Sequence, residues 1–392
     1  MYPTPSEWIS PRHTTVLVFS RLSFRLFFSI VSSMENSKKT WHTRPQAGDF
    51  GEPRMAVAPP NDPRFAHLAW PRMIRTESGI IIASYIAGRF HGSGGGGSPA
   101  ISISTDGGAT LSPPRVVHEF NENDEYNHSG NTALGIARDG AIVLLAMAFR
   151  RGEAHTIFGW RSEDEGQTWS AIDTSNLADN QSGSVYGNVL NLPDGRLMVF
   201  GHYRSPRPEQ GIWVATSDDD GRSWSGPRQV AEAPLVEPSA TLSGGRMVAL
   251  YREQGKQLHS QTWQAVSDDL GESWEIKEDG IVSSDKERFR LPSPFITFDP
   301  SKPDQLYSLV TERHFPGNTP GTISLWTAGL HDLKWMKTGL ITTLPSDEGN
   351  LNRDFGYPWM VPLGNNQWFL LFYFGESAGP CALWSLEIEI AV

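Results

Sequence analysis

The chain is almost without cysteine. Its 392 residues include one, Cys381, so no disulfide can form within the chain and no cysteine zinc cluster can be built. Basic residues are in deficit as well. The 33 Lys and Arg against 44 Asp and Glu leave a net charge of −11, which argues against nucleic acid as a partner. A long uninterrupted apolar run is also missing. Residues 14–33 come closest, but Arg21 and Arg25 break them, so no membrane span is expected and the centre of a signal peptide is not intact. Residues 1–40 are therefore read as an N-terminal extension outside the fold, disordered or misassigned, with the folded domain over 41–392. Met34 opens an ordinary soluble start, "MENSKKTWHTRPQ". Cytoplasmic location is favoured over secretion, and no cofactor or metal is expected.

What the chain does have is 38 glycines, 28 prolines and 14 tryptophans, the mark of many turns and of large rings that need burial or a sugar to stack on. A short motif repeats. Residues 104–111 read "STDGGATL", 162–169 "SEDEGQTW", 217–224 "SDDDGRSW" and 267–274 "SDDLGESW". The consensus is S-x-D-x-G-x-[ST]-W, spaced 50 to 58 residues apart. A worn copy lies at 328–335, "AGLHDLKW". Between the copies run apolar segments after tight turns, such as "RDGAIVLLAMAFR" and "PDGRLMVFGHYR", each a strand after a turn. Every unit reads as strand, turn, strand, loop, strand, Asp turn, strand. Six such units predict an all-β fold, a six-bladed β-propeller of four-stranded antiparallel blades. The C-terminal "CALWSLEIEI" is expected to share a blade with a strand from residues 40–60.

Each residue of the Asp motif has a structural task. The Asp carboxylate accepts backbone N–H groups just ahead, the glycine takes positive φ, and the Trp buries its ring. Asp218 and Asp220, which flank Asp219, are expected to face water. The motif lacks the ligand spacing of a helix-flanked calcium loop.

The spacing also aligns the six places where an inner strand gives way to the next. At the exits stand Arg89, Arg150, Tyr203-Arg204, Arg252 and Arg313. Arginines in one register suit a carboxylate, which guanidinium binds in a planar fork. At the entrances Glu237 and Tyr357 stand out. The glycines Gly94 to Gly97 lack the Lys-Ser/Thr of a phosphate loop and are read as a loop at a pocket rim. Asn127-His128-Ser129 and Asn180-Gln181-Ser182 match the glycosylation sequon.

The four Asp turns resemble the Asp-box, or BNR repeat, of the sialidase (neuraminidase) superfamily, over roughly residues 60–390. The resemblance implies an exo-glycosidase acting on a terminal acidic sugar, with carbohydrate as the partner. In that family a tyrosine is the nucleophile and a glutamate its base. A neutral phenol avoids the repulsion that a carboxylate nucleophile meets at a carbon bearing a carboxylate. By the match of "EPSATLSGGRMVALYRE", "LYSLVTERHF" and "DFGYPWMVPL", the resemblance assigns Tyr357 as nucleophile, Glu237 as its base, and Arg252 and Arg313 as carboxylate ligands. Arg89, Arg204, Tyr203 and His128 join the substrate-binding candidates. Two positions depart from the family. Ala69 stands where its first arginine falls, with Arg72 displaced. The loop after "IAGRF" has His91 and no Asp for the general acid, leaving His91 or Asp124 as proton donors. Two alternatives remain open: a lyase acting on uronate chains by β-elimination, and a carbohydrate-binding propeller without chemistry.

Overall fold

The computed structural model describes residues 50–390 apart from 93–95, 151–154, 179–182, 205–207, 255–259, 287–288, 315–320 and 345–352. Residues 1–40, Arg151 next to Arg150 at the second strand exit, the second sequon and part of the glycine run lie outside the described residues. The described strands all belong to one unit, Trp41–Val392.

Strands form because apolar runs alternate with turn residues at the predicted spacing. They pair into six antiparallel meanders in chain order. The first comprises His67–Arg75, Ile81–Gly88, Ser98–Ser104 and Arg115–Val116. The second runs from His128–Ile136 through Ile142–Phe149 and His155–Ser162 to Ser170–Ala171. The third, from Ser184–Asn191 to Arg228–Ala231, and the fourth, from Leu235–Ser243 to Glu275–Lys277, repeat the pattern. The fifth pairs Phe295–Asp299, Lys302–His314, Thr322–Gly329 and Met336–Thr343. The sixth takes Arg353–Gly364, Gln367–Glu376 and Cys381–Glu389, and its fourth strand is Arg54–Val57, paired through Arg54↔Ser385 and Val57↔Leu383.

Strands such as Ile81–Gly88 and Ile142–Phe149 are buried along their whole length. They read as continuous apolar runs, because meander stacks on meander and covers both faces. The first strand of each meander lies against the first strand of the next: His67–Arg75 on His128–Ile136, then on through the third, fourth and fifth to Arg353–Gly364, which touches His67–Arg75 again. One cavity of about 320 Å³ is lined from all six of these strands, by Met73, Leu134, Val189, Leu242, Phe295 and Trp359 among others. No hydrogen-bonded sheet closes on itself among the described residues. Nor does any described helix have the length and apolarity to cross a membrane.

The four Asp turns are built alike. Asp219 Oδ1 accepts the hydroxyl of Ser217 at 2.8 Å and the N–H of Ser223 at 2.9 Å, and Oδ2 accepts the Ser223 hydroxyl at 2.6 Å. Gly221 N–H donates to Ser217 Oγ. Asp106, Asp164 and Asp269 repeat this set. The glycine two residues on has positive φ in every copy, and so has the residue before it: Gly107, Glu165, Asp220 and Leu270. A Cβ on these glycines would strike the preceding meander, Phe369 for Gly108, Ile103 for Gly166, Val143 for Gly221 and Met198 for Gly271. The turn is thus a joint between meanders as well as a hairpin tie. Arginines on neighbouring outer strands complete it: Arg54, Arg115 and Arg228 donate to the carbonyls of Gly108, Gly166 and Gly271.

Two expectations need correction. Asp220 does not simply face water; Arg138 of the second meander donates to it at 3.0 Å. Of the motif tryptophans, Trp224 alone is fully buried, while Trp169 and Trp274 are half-buried and donate to the turn carbonyls of Gly166 and Gly271. The worn copy keeps part of the turn. Asp332 accepts the N–H of Lys334 and Leu333 takes positive φ, but no Ser or Gly completes the set.

Candidate functional site

Five of the six first strands share a register break near one end, between Ala69 and Arg72, Ser129 and Thr132, Tyr186 and Val189, Val236 and Ser239, and Gly356 and Trp359. The residues after the last normal pair are Trp70, Gly130, Gly187, Glu237 and Tyr357. Trp70, Glu237 and Tyr357 are left-handed there, with φ of 58°, 51° and 49°. Left-handed backbone at a bulky side chain costs energy and persists only where the surroundings impose it. The break places Glu237 and Tyr357, from the fourth and sixth meanders, face to face.

Tyr357 donates its phenol to Glu237 Oε1 at 3.0 Å. Arg252, opposite Val236 on the neighbouring strand, donates to Glu237 Oε2 at 2.9 Å. Burial pushes the Glu237 carboxyl up, but the charge and hydrogen bond of Arg252, the charge of Arg204 and the Tyr357 phenol together hold it below its ordinary value. Burial, and then the Glu237 carboxylate, push the Tyr357 phenol far up. The pair is therefore an anionic base holding the proton of a neutral phenol.

A second knot lies beside it, on the same strand as Tyr357. Asp354 Oδ1 accepts the phenol of Tyr373 at 2.8 Å and lies 3.6 Å from Arg313 Nη2. Asp354 Oδ2 stands 2.6 Å from His91 Nδ1 and 3.3 Å from His67 Nε2. Burial raises the Asp354 carboxyl, and the two histidines and Arg313 more than reverse this, holding it low. Arg313 also donates to Tyr373 at 2.9 Å and to the Phe355 carbonyl, and its guanidinium carbon is 5.8 Å from the Tyr357 ring. Trp70 bridges the two knots, 5.0 Å from the His91 ring and 6.5 Å from the Tyr357 ring.

The structure thus brings together Glu237, Tyr357, Arg252, Arg313 and His91. Arg204 joins them, for Glu237 and Tyr357 act on its charge, and its Nε finds no partner among the described residues. Other candidates lie elsewhere. Arg89 is exposed and acts on Asp62. Asp124 is exposed and accepts the N–H of Asn121 at 2.7 Å. His128 is buried against Phe149, accepts the N–H of Gly97 at 2.9 Å, and is driven down to about 4 by burial. Tyr203 is part of an apolar cluster with Trp213 and Trp224.

Sequence reasoning missed four members of the site. Asp354 and Tyr373 carried no signal beyond lying near Tyr357 and on the adjacent strand. His67 is two residues before the expected arginine position. Arg72 looked displaced, yet its guanidinium is buried 4.1 Å from the Tyr186 ring centre, 4.8 Å from Trp359 and 5.9 Å from Tyr357. Its one hydrogen bond is to the Pro71 carbonyl at 2.7 Å, and its Nε and Nη2 find no partner among the described residues. A buried guanidinium with donors to spare is a cation waiting for an anion. His67, His91 and Asp354 are the three residues, among those described, whose ligand atoms could meet on an ion, all within 4.8 Å of one another.

Residues 100–294 match the family model of a BNR repeat-like domain. Solved structures match over most of the chain. One is a protein of unknown function from Dyadobacter fermentans, 20% identical, with a TM-score of 0.67, covering 88% of this chain and 99% of that one. Another is the NanB sialidase of Streptococcus pneumoniae, 13% identical at TM-score 0.60, over 88% of this chain and 71% of that one. Residues 100–294 thus resemble BNR repeats, and the chain shares the fold of these structures. A third similar structure is the Trypanosoma rangeli sialidase in complex with sialic acid, 13% identical at TM-score 0.60, over 83% of this chain. The chain spans only 54% of that enzyme's length. No curated protein matches the chain by sequence.

Proposed function

We propose that the six meanders form a six-bladed β-propeller and that the chain is an exo-glycosidase removing a terminal acidic sugar. Support for the propeller comes from the cavity lined by all six first strands and from the return contact of the sixth on the first. The observation that carries the glycosidase reading is the 3.0 Å hydrogen bond from the Tyr357 phenol to Glu237. Glu237 would take the phenolic proton as Tyr357 Oη forms a bond to the anomeric carbon. The glycosidic C–O bond breaks, and the leaving oxygen takes a proton from His91, the one proton-donor candidate that Trp70 brings near Tyr357. Water then cleaves the tyrosyl–sugar bond, so the configuration is retained. Arg72, Arg204, Arg252 and Arg313 outnumber the carboxylates of Glu237 and Asp354, which suits a substrate that carries its own carboxylate.

Purified protein is offered α-sialosides and a panel of uronides, with released sugar and unsaturated uronate both recorded. Release of free sugar by the wild type and loss of that release in Tyr357→Phe supports the reading. Equal turnover by wild type and Tyr357→Phe, unsaturated products, or binding without turnover overturns it.

A further inference from the structure

His67 poses a problem of proton accounting. It is 2% exposed. Its Nδ1 lies 2.9 Å from the carbonyl oxygen of Gly379, which can only accept, so Nδ1 carries the hydrogen. In a neutral ring Nε2 then carries a lone pair. That lone pair is aimed at Asp354 Oδ2, a second acceptor, at 3.3 Å, and Nε2 finds no hydrogen-bond partner among the described residues. His91 Nδ1 converges on the same oxygen. Two imidazole nitrogens and a carboxylate oxygen face one another; a hydrogen bond of 2.6 Å joins His91 to Asp354, and His67 Nε2 is the donor atom left over.

We propose that His67 Nε2, His91 Nδ1 and Asp354 Oδ2 bind a zinc-class transition-metal ion beside the Tyr357–Glu237 pair. Two imidazoles and one carboxylate suit zinc, cobalt or nickel better than calcium or magnesium, which take oxygen ligands. Around a tetrahedral ion with bonds of about 2.1 Å such donors sit roughly 3.4 Å apart; His67 Nε2 and Asp354 Oδ2 meet that at 3.3 Å, while His91 Nδ1, now 2.6 Å from Oδ2, would have to draw back as the ion enters.

The surroundings are those of a ligand shell. The Gly379 carbonyl fixes the His67 tautomer, as outer partners of metal-bound histidines do. Tyr373 and Arg313 both engage Oδ1 of Asp354 and leave Oδ2 to the histidines. His91 is held by its own N–H to the Ser377 carbonyl at 2.8 Å. Its side chain is 41% exposed, which leaves the ion a side open to solvent or substrate, and ligation at Nδ1 leaves Nε2 free. The excess of guanidinium opposes a cation here, and an anionic ligand reaching the open side offsets that. The inference stands apart from the glycosidase reading, since it needs the three donors and no turnover.

Full-length protein, stripped with chelator and then dialysed, is titrated with Zn²⁺ and separately with Co²⁺. Bound metal is counted by mass spectrometry, and the Co²⁺ geometry is read from its visible absorption. The expected result is one equivalent per chain, with the intense bands of a four- or five-coordinate ion. His91→Ala should weaken binding about 100-fold or more, and Tyr373→Phe about 10- to 100-fold with the three ligands kept. Thermal unfolding confirms that each variant is folded. Absence of stoichiometric binding by the wild type at tens of micromolar metal overturns the proposal, as does unchanged binding in His91→Ala.

Discussion

The phenol of Tyr357 meets the carboxylate of Glu237 at 3.0 Å, and both residues hold left-handed backbone to do so. They come from strands that are far apart in sequence, and the same register break in each first strand turns both inward. The arrangement is therefore a property of the repeat, used twice to bring these two side chains together.

Replacing Tyr357 by Phe removes one oxygen from a buried ring. Turnover of the proposed substrate should fall about 10³-fold or more, while affinity for the released acidic sugar changes little. Steady-state kinetics and equilibrium binding on the same preparation separate the two. Parallel loss of affinity and turnover would place Tyr357 in substrate binding rather than bond formation.

Arg252→Ala leaves Glu237 as a buried charge without its main partner. Stability at pH 7 should drop by about 3 kcal/mol in urea unfolding. In the wild type the Glu237 carboxyl lies below its ordinary value, so its contribution is present above the carboxylate range and lost as pH falls through the lower folded value. In the variant burial acts with less opposition and Glu237 takes up a proton more readily. The deficit relative to wild type should shrink as pH falls below about 4.

The Asp turns set the acid limit of the fold. Hydrogen bonds from Thr110, Thr168 and Ser273 hold Asp106, Asp164 and Asp269 at about 2. Their contribution is present above about pH 4 and is lost as pH falls toward 2. Calorimetry should record a falling Tm over that interval, with a shallower fall in Asp164→Asn. An equal slope in that variant would move the acid limit to other carboxylates.

Gly108→Ala tests the joint between meanders. A Cβ there would lie 2.5 Å from the Phe369 ring on a backbone with φ of 97°. Overpacking and left-handed strain should together lower stability by about 1–3 kcal/mol. Gly140→Ala, with φ of 85° and open space around the Cβ, pays the backbone cost alone and should lose less.

The meanders were legible because each holds an apolar run after a tight turn and four of the six carry the Asp turn, and repetition turns weak local signals into a strong one. Glu237, Tyr357, Arg252 and Arg313 were legible because the repeat located the strand ends. Asp354, Tyr373 and His67 were not, because their role depends on which strands of different meanders come together. Arg72 misled for a related reason. Its sequence position suggested displacement, yet a long side chain from three residues further on reaches the rings of Tyr186, Trp359 and Tyr357. Arg89 shared the register of the site arginines but points toward Asp62, because register fixes a strand position and not the direction a flexible side chain takes.

The pairing of Arg54–Val57 with Cys381–Glu389 bears on how the protein is made. Five meanders draw all four of their principal strands from one continuous stretch and can form as the chain leaves the ribosome. The sixth joins strands from opposite ends of the described chain. Until the late strand emerges, Arg54–Val57 has no sheet to join, and the flank of His67–Arg75 that will meet Arg353–Gly364 stays uncovered. Completion of the sixth meander waits for its last strand, and the chain before that point is the species most exposed to mispairing and to capture by chaperones.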